Sequence, residues 1–230
     1  MIAKEMDFFL EELRQPTASQ AIPEEDLTTL GETLPAVGQD YWARFGASCF
    51  MDGLVQVLNP LDFTETVASW IADTEFDGQD DYYAVAMTGF GDVEIWGGAT
   101  GRVFSISASL GVMIKSGQDQ AEDIAGGRAD FWFEDLLIGT DPANADRSDG
   151  DGKMFKRAVK KFGPLAPGEI FVAVPSTPLG GTLQVATMDK VAAPEYLQIL
   201  AGVSDRSVVT LEDLIRSAYG PDAAKAAGEL

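Results

Sequence analysis

The side chains of this chain that could do chemistry are carboxylates. Asp and Glu number 37 against 16 Lys and Arg, and the 230 residues contain no histidine. The commonest general base and metal ligand is therefore missing, and a Ser-His-Asp triad is ruled out. Acids crowd the run Asp73-Thr-Glu-Phe-Asp-Gly-Gln-Asp-Asp, which supplies Asp73, Glu75, Asp77, Asp80 and Asp81, and they recur at Asp92 and Glu94. General acid–base work by two carboxylates needs them about 5–9.5 Å apart across a cleft. Neighbours in sequence, such as Glu24-Glu25-Asp26, say nothing about that separation. The run Asp146-Arg-Ser-Asp-Gly-Asp-Gly has the composition of a calcium loop without its register. Counted from Asp149, Lys153 and Lys160 stand at the fifth and twelfth places; counted from Asp146, Arg157 takes the twelfth. The loop needs oxygen ligands at those places.

Other chemistry is equally poorly supplied. The single cysteine, Cys49, lies among aromatic and small residues with no histidine to lower its pKa, and reads as a buried hydrophobe. Gly97-Gly98 and Gly180-Gly181 lack the spacings that cradle phosphates. No catalytic residue, metal ligand or cofactor site is assigned.

One cationic group stands out. Lys153, Lys156, Arg157, Lys160 and Lys161 fall at i, i+3, i+4, i+7 and i+8, a spacing that predicts five cations on one helix face. Residues 1–140 hold 25 acids and 6 bases, whereas residues 141–230 hold 12 and 10. The cationic face is expected to lean on the acidic half and hold two domains together. A net charge of −21 repels phosphate backbones and anionic membranes and attracts basic proteins. Direct nucleic-acid and membrane binding are accordingly not expected.

The elements that position these residues follow from periodicity. Ile2, Met6, Phe9, Leu10 and Leu13 mark an opening amphipathic helix, and Pro16 and Pro23 fence off a linker. Leu27 to Leu34 and Val37 to Phe45 read as helices, the second closed by Gly46. Gly53 to Leu58 alternates like a short strand, and Asn59-Pro-Leu-Asp opens a helix whose buried face is Phe63, Val67, Trp70 and Ile71. From Tyr82 the period changes to two. Turns at Gly89–Gly91 and Gly97–Gly101 divide an antiparallel meander in which Asp92, Glu94 and Trp96 share one face. Beyond it, Glu122 to Leu137 reads as a helix broken at Gly126-Gly127, and Met154 to Phe162 as another. Glu169 to Val174 is a strand expected to pair with Leu183 to Thr187, Pro194 opens a helix, and Thr210-Leu-Glu-Asp is a helix cap. The expected fold is α+β: N-terminal helices plus an antiparallel β-meander, then a smaller α+β domain. The expected division is an acidic domain at 1–139, a polar connector at 140–152, a second domain at 153–220 and a flexible tail at 221–230. Acids stand where a signal peptide needs bases, and no apolar run is long enough to span a membrane, so a cytoplasmic protein is expected.

Three segments, Leu34-Pro-Ala-Val-Gly-Gln-Asp-Tyr-Trp-Ala-Arg-Phe-Gly, Gly53-Leu-Val-Gln-Val-Leu-Asn-Pro and Thr88-Gly-Phe-Gly-Asp-Val-Glu-Ile-Trp-Gly, resemble the GAD-like domain. Met154-Phe-Lys-Arg-Ala, Gly163-Pro-Leu-Ala-Pro-Gly-Glu-Ile, Leu179-Gly-Gly-Thr and Tyr196-Leu-Gln-Ile-Leu-Ala resemble the domain that commonly follows it. The resemblance implies an immunity protein of bacterial type VI secretion, a non-enzymatic antitoxin to a nuclease. Its expected partner is a basic nuclease toxin. The resemblance defines no contact residues, and charge alone points to the acidic segment and hairpin, Asp73, Glu75, Asp77, Asp80, Asp81, Asp92 and Glu94, with Trp96 beside them. The competing readings are a carboxylate-only or metal-dependent hydrolase and a scaffold with no toxin partner.

Overall fold

In a computed structural model, residues 15–138 and 142–219 are described. The expected opening helix and the tail beyond 219 lie outside the described residues. The first half supplies β1 (Ala18–Gln20), α1 (Glu24–Thr33), α2 (Ala36–Phe45), β2 (Ala47–Phe50), β3 (Val55–Val57) and α3 (Thr64–Ile71). It continues with the meander β4 (Tyr82–Thr88), β5 (Asp92–Gly97), β6 (Gly101–Ser107) and β7 (Val112–Lys115), then α4 (Ala121–Ala125) and α5 (Ala129–Ile138). The second half supplies α6 (Pro142–Ala145), a small hairpin of β8 (Ser148–Asp149) and β9 (Gly152–Lys153), and α7 (Phe155–Phe162). After these come β10 (Glu169–Ala173), β11 (Met188–Ala192), α8 (Ala193–Val203), β12 (Val208–Val209) and α9 (Leu211–Tyr219).

Local chemistry sets the boundaries. Gly46, at φ 66°, ends α2 where any Cβ would lie 2.2 Å from the Gln20 carbonyl oxygen. The Asn59 side chain accepts from the Leu61 N–H and starts a 3₁₀ turn that leads into α3. Gly126 and Gly127 divide α4 from α5 as expected. Thr210 and Asp213 cap α9 reciprocally: the Asp213 N–H donates to the Thr210 hydroxyl, and the Thr210 N–H to the Asp213 carboxylate.

The architecture is α+β. Strands β1 to β7 form one antiparallel sheet in chain order, and β12 adds to β7 in parallel as the eighth strand. Strand alternation gives the sheet two apolar faces. Val85 and Trp96 pack with Leu30, Trp42, Phe133 and Phe155, so α1, α2, α5 and α7 cover one side. Val93, Ile95, Phe104 and Ile106 pack with Val67, Trp70, Leu197 and Leu200, so α3 and α8 cover the other. Each fully buried side chain of this size contributes about 2–3 kcal/mol.

Both layers draw on both halves of the chain. Phe155 of α7 meets Phe90 edge-on at 5.9 Å, and the Phe171 N–H donates to the Gly89 carbonyl at 2.8 Å. The Trp70 indole donates to the Leu197 carbonyl and the Thr66 hydroxyl to that of Pro194. Arg206 donates to the Ser69 and Ala72 carbonyls, placing a cation at the negative end of α3.

Two expectations need correction. The stretch between Pro16 and Pro23 is not only a linker, because Ala18–Gln20 pairs with β2 as an edge strand. The partner of β10 is Met188–Ala192, not Leu183–Thr187. Residues 185–187 form a 3₁₀ turn whose Val185 and Ala186 carbonyls are bound by the Lys161 ammonium, which takes them from any ladder.

Candidate functional site

The acidic run lies in the loop between α3 and β4, and its one apolar member holds it in place. Phe76 is buried and stacks on Phe104 at 4.3 Å. Around that anchor Asp73, Glu75 and Asp77 are exposed, as is Asp81. Asp73 adopts a left-handed conformation, φ 61°, and its N–H donates to the Asp77 carboxylate at 3.2 Å. Glu75 pairs with Lys115 of β7 at 2.8 Å. Beside the loop a cleft of about 350 Å³ is lined by Asp73, Glu75, Asp205 and Arg206. Burial, then the carboxylates of Asp80 and Glu75, push the Tyr82 phenol up, a sign of the negative potential here.

Asp80 does structural work. Its carboxylate accepts the Ala99 N–H at 3.0 Å, the Thr100 N–H at 2.9 Å and the Thr100 hydroxyl at 2.5 Å, fixing the β5–β6 turn. The β5 acids are similarly engaged. Asp92 accepts from the Ser107 hydroxyl at 2.8 Å and pairs with Arg147 from the second half. Glu94 accepts from Arg102 at 3.0 Å, and burial outweighs that cation in pushing its carboxyl up. Trp96 is fully buried, edge-on to Phe133 at 5.0 Å. An indole enclosed in that way presents nothing to a partner, so the expectation of Trp96 at a contact surface is corrected. The sequence signal for this was available: Trp96 is the last of three alternating residues and faces the layer that holds α5.

The cations divide by role. Lys153 precedes the helix, in β9, and donates to the Ala143 and Asp146 carbonyls, both at 2.9 Å. Arg157 grips Asp149 with both terminal nitrogens, at 2.6 and 3.0 Å, and the guanidinium holds that carboxyl down to about 2. Lys161 binds the Val185 and Ala186 carbonyls. These partners all lie within the second half, so Lys153, Arg157 and Lys161 are not engaged with the acidic half by these bonds. Phe155 and Ala158 dock α7, and among the described residues Arg147–Asp92 is the ion pair between the halves. Lys156 and Lys160 have no hydrogen-bond or ion-pair partner among the described residues. They line a groove of about 840 Å³ with Lys153, Met51, Leu54 and Val159.

Cys49 is fully buried in β2, and burial pushes its thiol up to about 12, which removes it as a nucleophile. Among the described residues, no group of three or more acids and cysteine is placed to hold a metal ion. Among them also, no helix is long and apolar enough to cross a membrane.

Fold and surface together define an acidic α+β protein whose two halves share their cores. Residues 4–110 match the GAD-like domain, and residues 133–204 match the C-terminal domain of the T6SS immunity protein Tdi1. The chain belongs to the two-domain family of type VI secretion immunity proteins, whose members bind a cognate effector protein. The crystal structure of Atu4351 from Agrobacterium tumefaciens is similar in fold, with a TM-score of 0.75 at 22% identity. That similarity covers 90% of this chain and 92% of the other. No curated protein sequence matches.

Proposed function

We propose that the effector is a DNA-degrading nuclease and that this protein neutralises it in the cytoplasm, without catalysis. It does so by covering or distorting the nuclease active site or DNA groove. The observation that carries this reading is the exposed acidic loop anchored by Phe76, on a chain of net charge −21. A nuclease must present a basic surface to the phosphate backbone. A fixed set of carboxylates competes for that surface and steers association, raising the rate toward about 10⁸ M⁻¹s⁻¹ at low salt. Asp73, Glu75, Asp77 and Asp81 are the exposed members of the acidic set that can do this. Asp80, Asp92 and Glu94 position the loop and the sheet that carries it.

The test is DNA degradation by the effector encoded beside this gene, assayed with and without the purified protein. Stoichiometric protection, with association slowed by added salt, is the expected result. An adjacent gene product that binds this protein yet leaves DNA intact on its own overturns the nuclease assignment.

A further inference from the structure

The groove beside α7 gathers three lysines, Lys153, Lys156 and Lys160, against two acids, Asp52 and Asp146, the second of which is engaged by the Phe155 N–H. Lys156 and Lys160 line it one helical turn apart, and among the described residues no carboxylate pairs with either ammonium. Like charges at i and i+4 repel, so the arrangement is costly unless something external relieves it. Between and beneath the ammoniums, Met51, Leu54 and Val159 supply an apolar bed, and Met51 is 41% exposed. Lys153 lines the same groove but is held by two carbonyls, so among the described residues Lys156 and Lys160 are the groove's lysines without a partner.

Resting on the reading of this chain as an effector-binding protein, we propose that the groove is a second contact surface that takes an acidic segment of the effector. Spacing narrows the chemistry. Lys156 and Lys160 are four residues apart on a helix, a rise of about 6 Å. Alternate side chains of an extended strand are about 6.6–6.8 Å apart on one face. Two carboxylates on alternate residues of an extended segment therefore match the two ammoniums, while flanking apolar side chains meet the bed. The volume of about 840 Å³ suits a segment of a few residues. Contact surfaces of opposite sign fix one orientation of the bound effector, which a single acidic face cannot do.

The experiment uses the full chain and the effector encoded beside it. A zero-length carbodiimide, which joins an amine to a carboxylate, is applied to the complex, and the linked peptides are mapped by mass spectrometry. Links from Lys156 and Lys160 to an acidic segment of the effector are expected. The double variant Lys156→Glu/Lys160→Glu should bind at least tenfold more weakly, while Lys156→Arg/Lys160→Arg stays within about twofold. Links only to this chain's own acids, such as Asp52 or Asp146, together with unchanged affinity of the charge-reversed variant, overturn the groove as an effector contact and leave the acidic loop standing. Absence of any complex with the unaltered protein overturns the effector-binding reading itself.

Discussion

Gln56 of β3 and Glu169 of β10 are joined by a 2.7 Å hydrogen bond from the Gln56 Nε2 to the Glu169 carbonyl. The same amide completes the exchange through its Oε1, which accepts the Gly168 N–H at 3.0 Å. Gln56 has no solvent exposure, and the backbone groups it meets are partly buried. The first half of the chain thus uses one side chain to satisfy the backbone of the second. Replacing Gln56 with Leu removes the partner of a partly buried N–H and a partly buried carbonyl. A loss of about 2–4 kcal/mol is expected, read as a fall of roughly 5–15 °C in Tm. A shift under 2 °C would show that the halves are held without it.

The Asp92–Arg147 pair should couple the same two halves more weakly. Their side chains are 22% and 37% exposed, and solvent screens the interaction. A double-mutant cycle with Asp92→Asn and Arg147→Met should return a coupling energy of about 0.5–1 kcal/mol in chemical denaturation. A coupling of zero, with each single change neutral, would make the pair incidental.

Trp96 is the sharpest test of core against surface. Trp96→Ala removes a fully buried indole and should destabilise by about 3–5 kcal/mol. Trp96→Phe should leave the effector association rate unchanged at temperatures where the variant is folded. A slowed association in a fully folded Trp96→Phe variant would return this residue to the contact surface.

Neutralising the loop acids should have the reverse signature. The fourfold variant Asp73→Asn, Glu75→Gln, Asp77→Asn and Asp81→Asn alters exposed groups and should move Tm by less than about 3 °C. Effector association at low salt should slow about tenfold or more, with the difference shrinking as salt rises. Stopped-flow rates that stay equal to the parent across the salt series would remove the loop from the encounter.

Asp149 gives a pH prediction with a definite sign. Its folded pKa of about 2 lies below the ordinary value of about 3.9. The Arg157 bridge therefore contributes stability above about pH 4, and that contribution disappears as pH falls toward 2. Carbon-detected NMR of the Asp149 carboxyl should show the low titration, and Arg157→Gln should restore an ordinary one. Glu94 has the opposite sign: burial raises its pKa, so its ionisation opposes folding as pH rises through that value.

Much of the local structure was legible in the chain. The meander from Tyr82 to Lys115 alternates strictly enough to place four strands and their turns, and Gly46, Asn59, Gly126-Gly127 and Thr210 mark helix ends by their own backbone chemistry. The β11 partner was misplaced because Leu183–Thr187 has the apolar content of a strand, and only Lys161 binding its carbonyls turns it into a 3₁₀ segment. Strands β1, β2 and β12 escaped notice because two to four residues carry no readable period.

Composition by itself determined that the protein is strongly acidic, lacks histidine chemistry and repels polyanions, because charge and residue type need no fold to be counted. Periodicity determined the α+β class, because side-chain direction follows from local backbone geometry. Which acids remain free was decided by the tertiary structure alone. Asp80, Asp92 and Glu94 look no different in sequence from Asp73, Asp77 and Asp81, and only their hydrogen-bond partners, up to 55 residues away, separate structural carboxylates from exposed ones. The same holds for the cations: one spacing rule put five on a helix face, and only the fold shows that carbonyls and a carboxylate hold Lys153, Arg157 and Lys161.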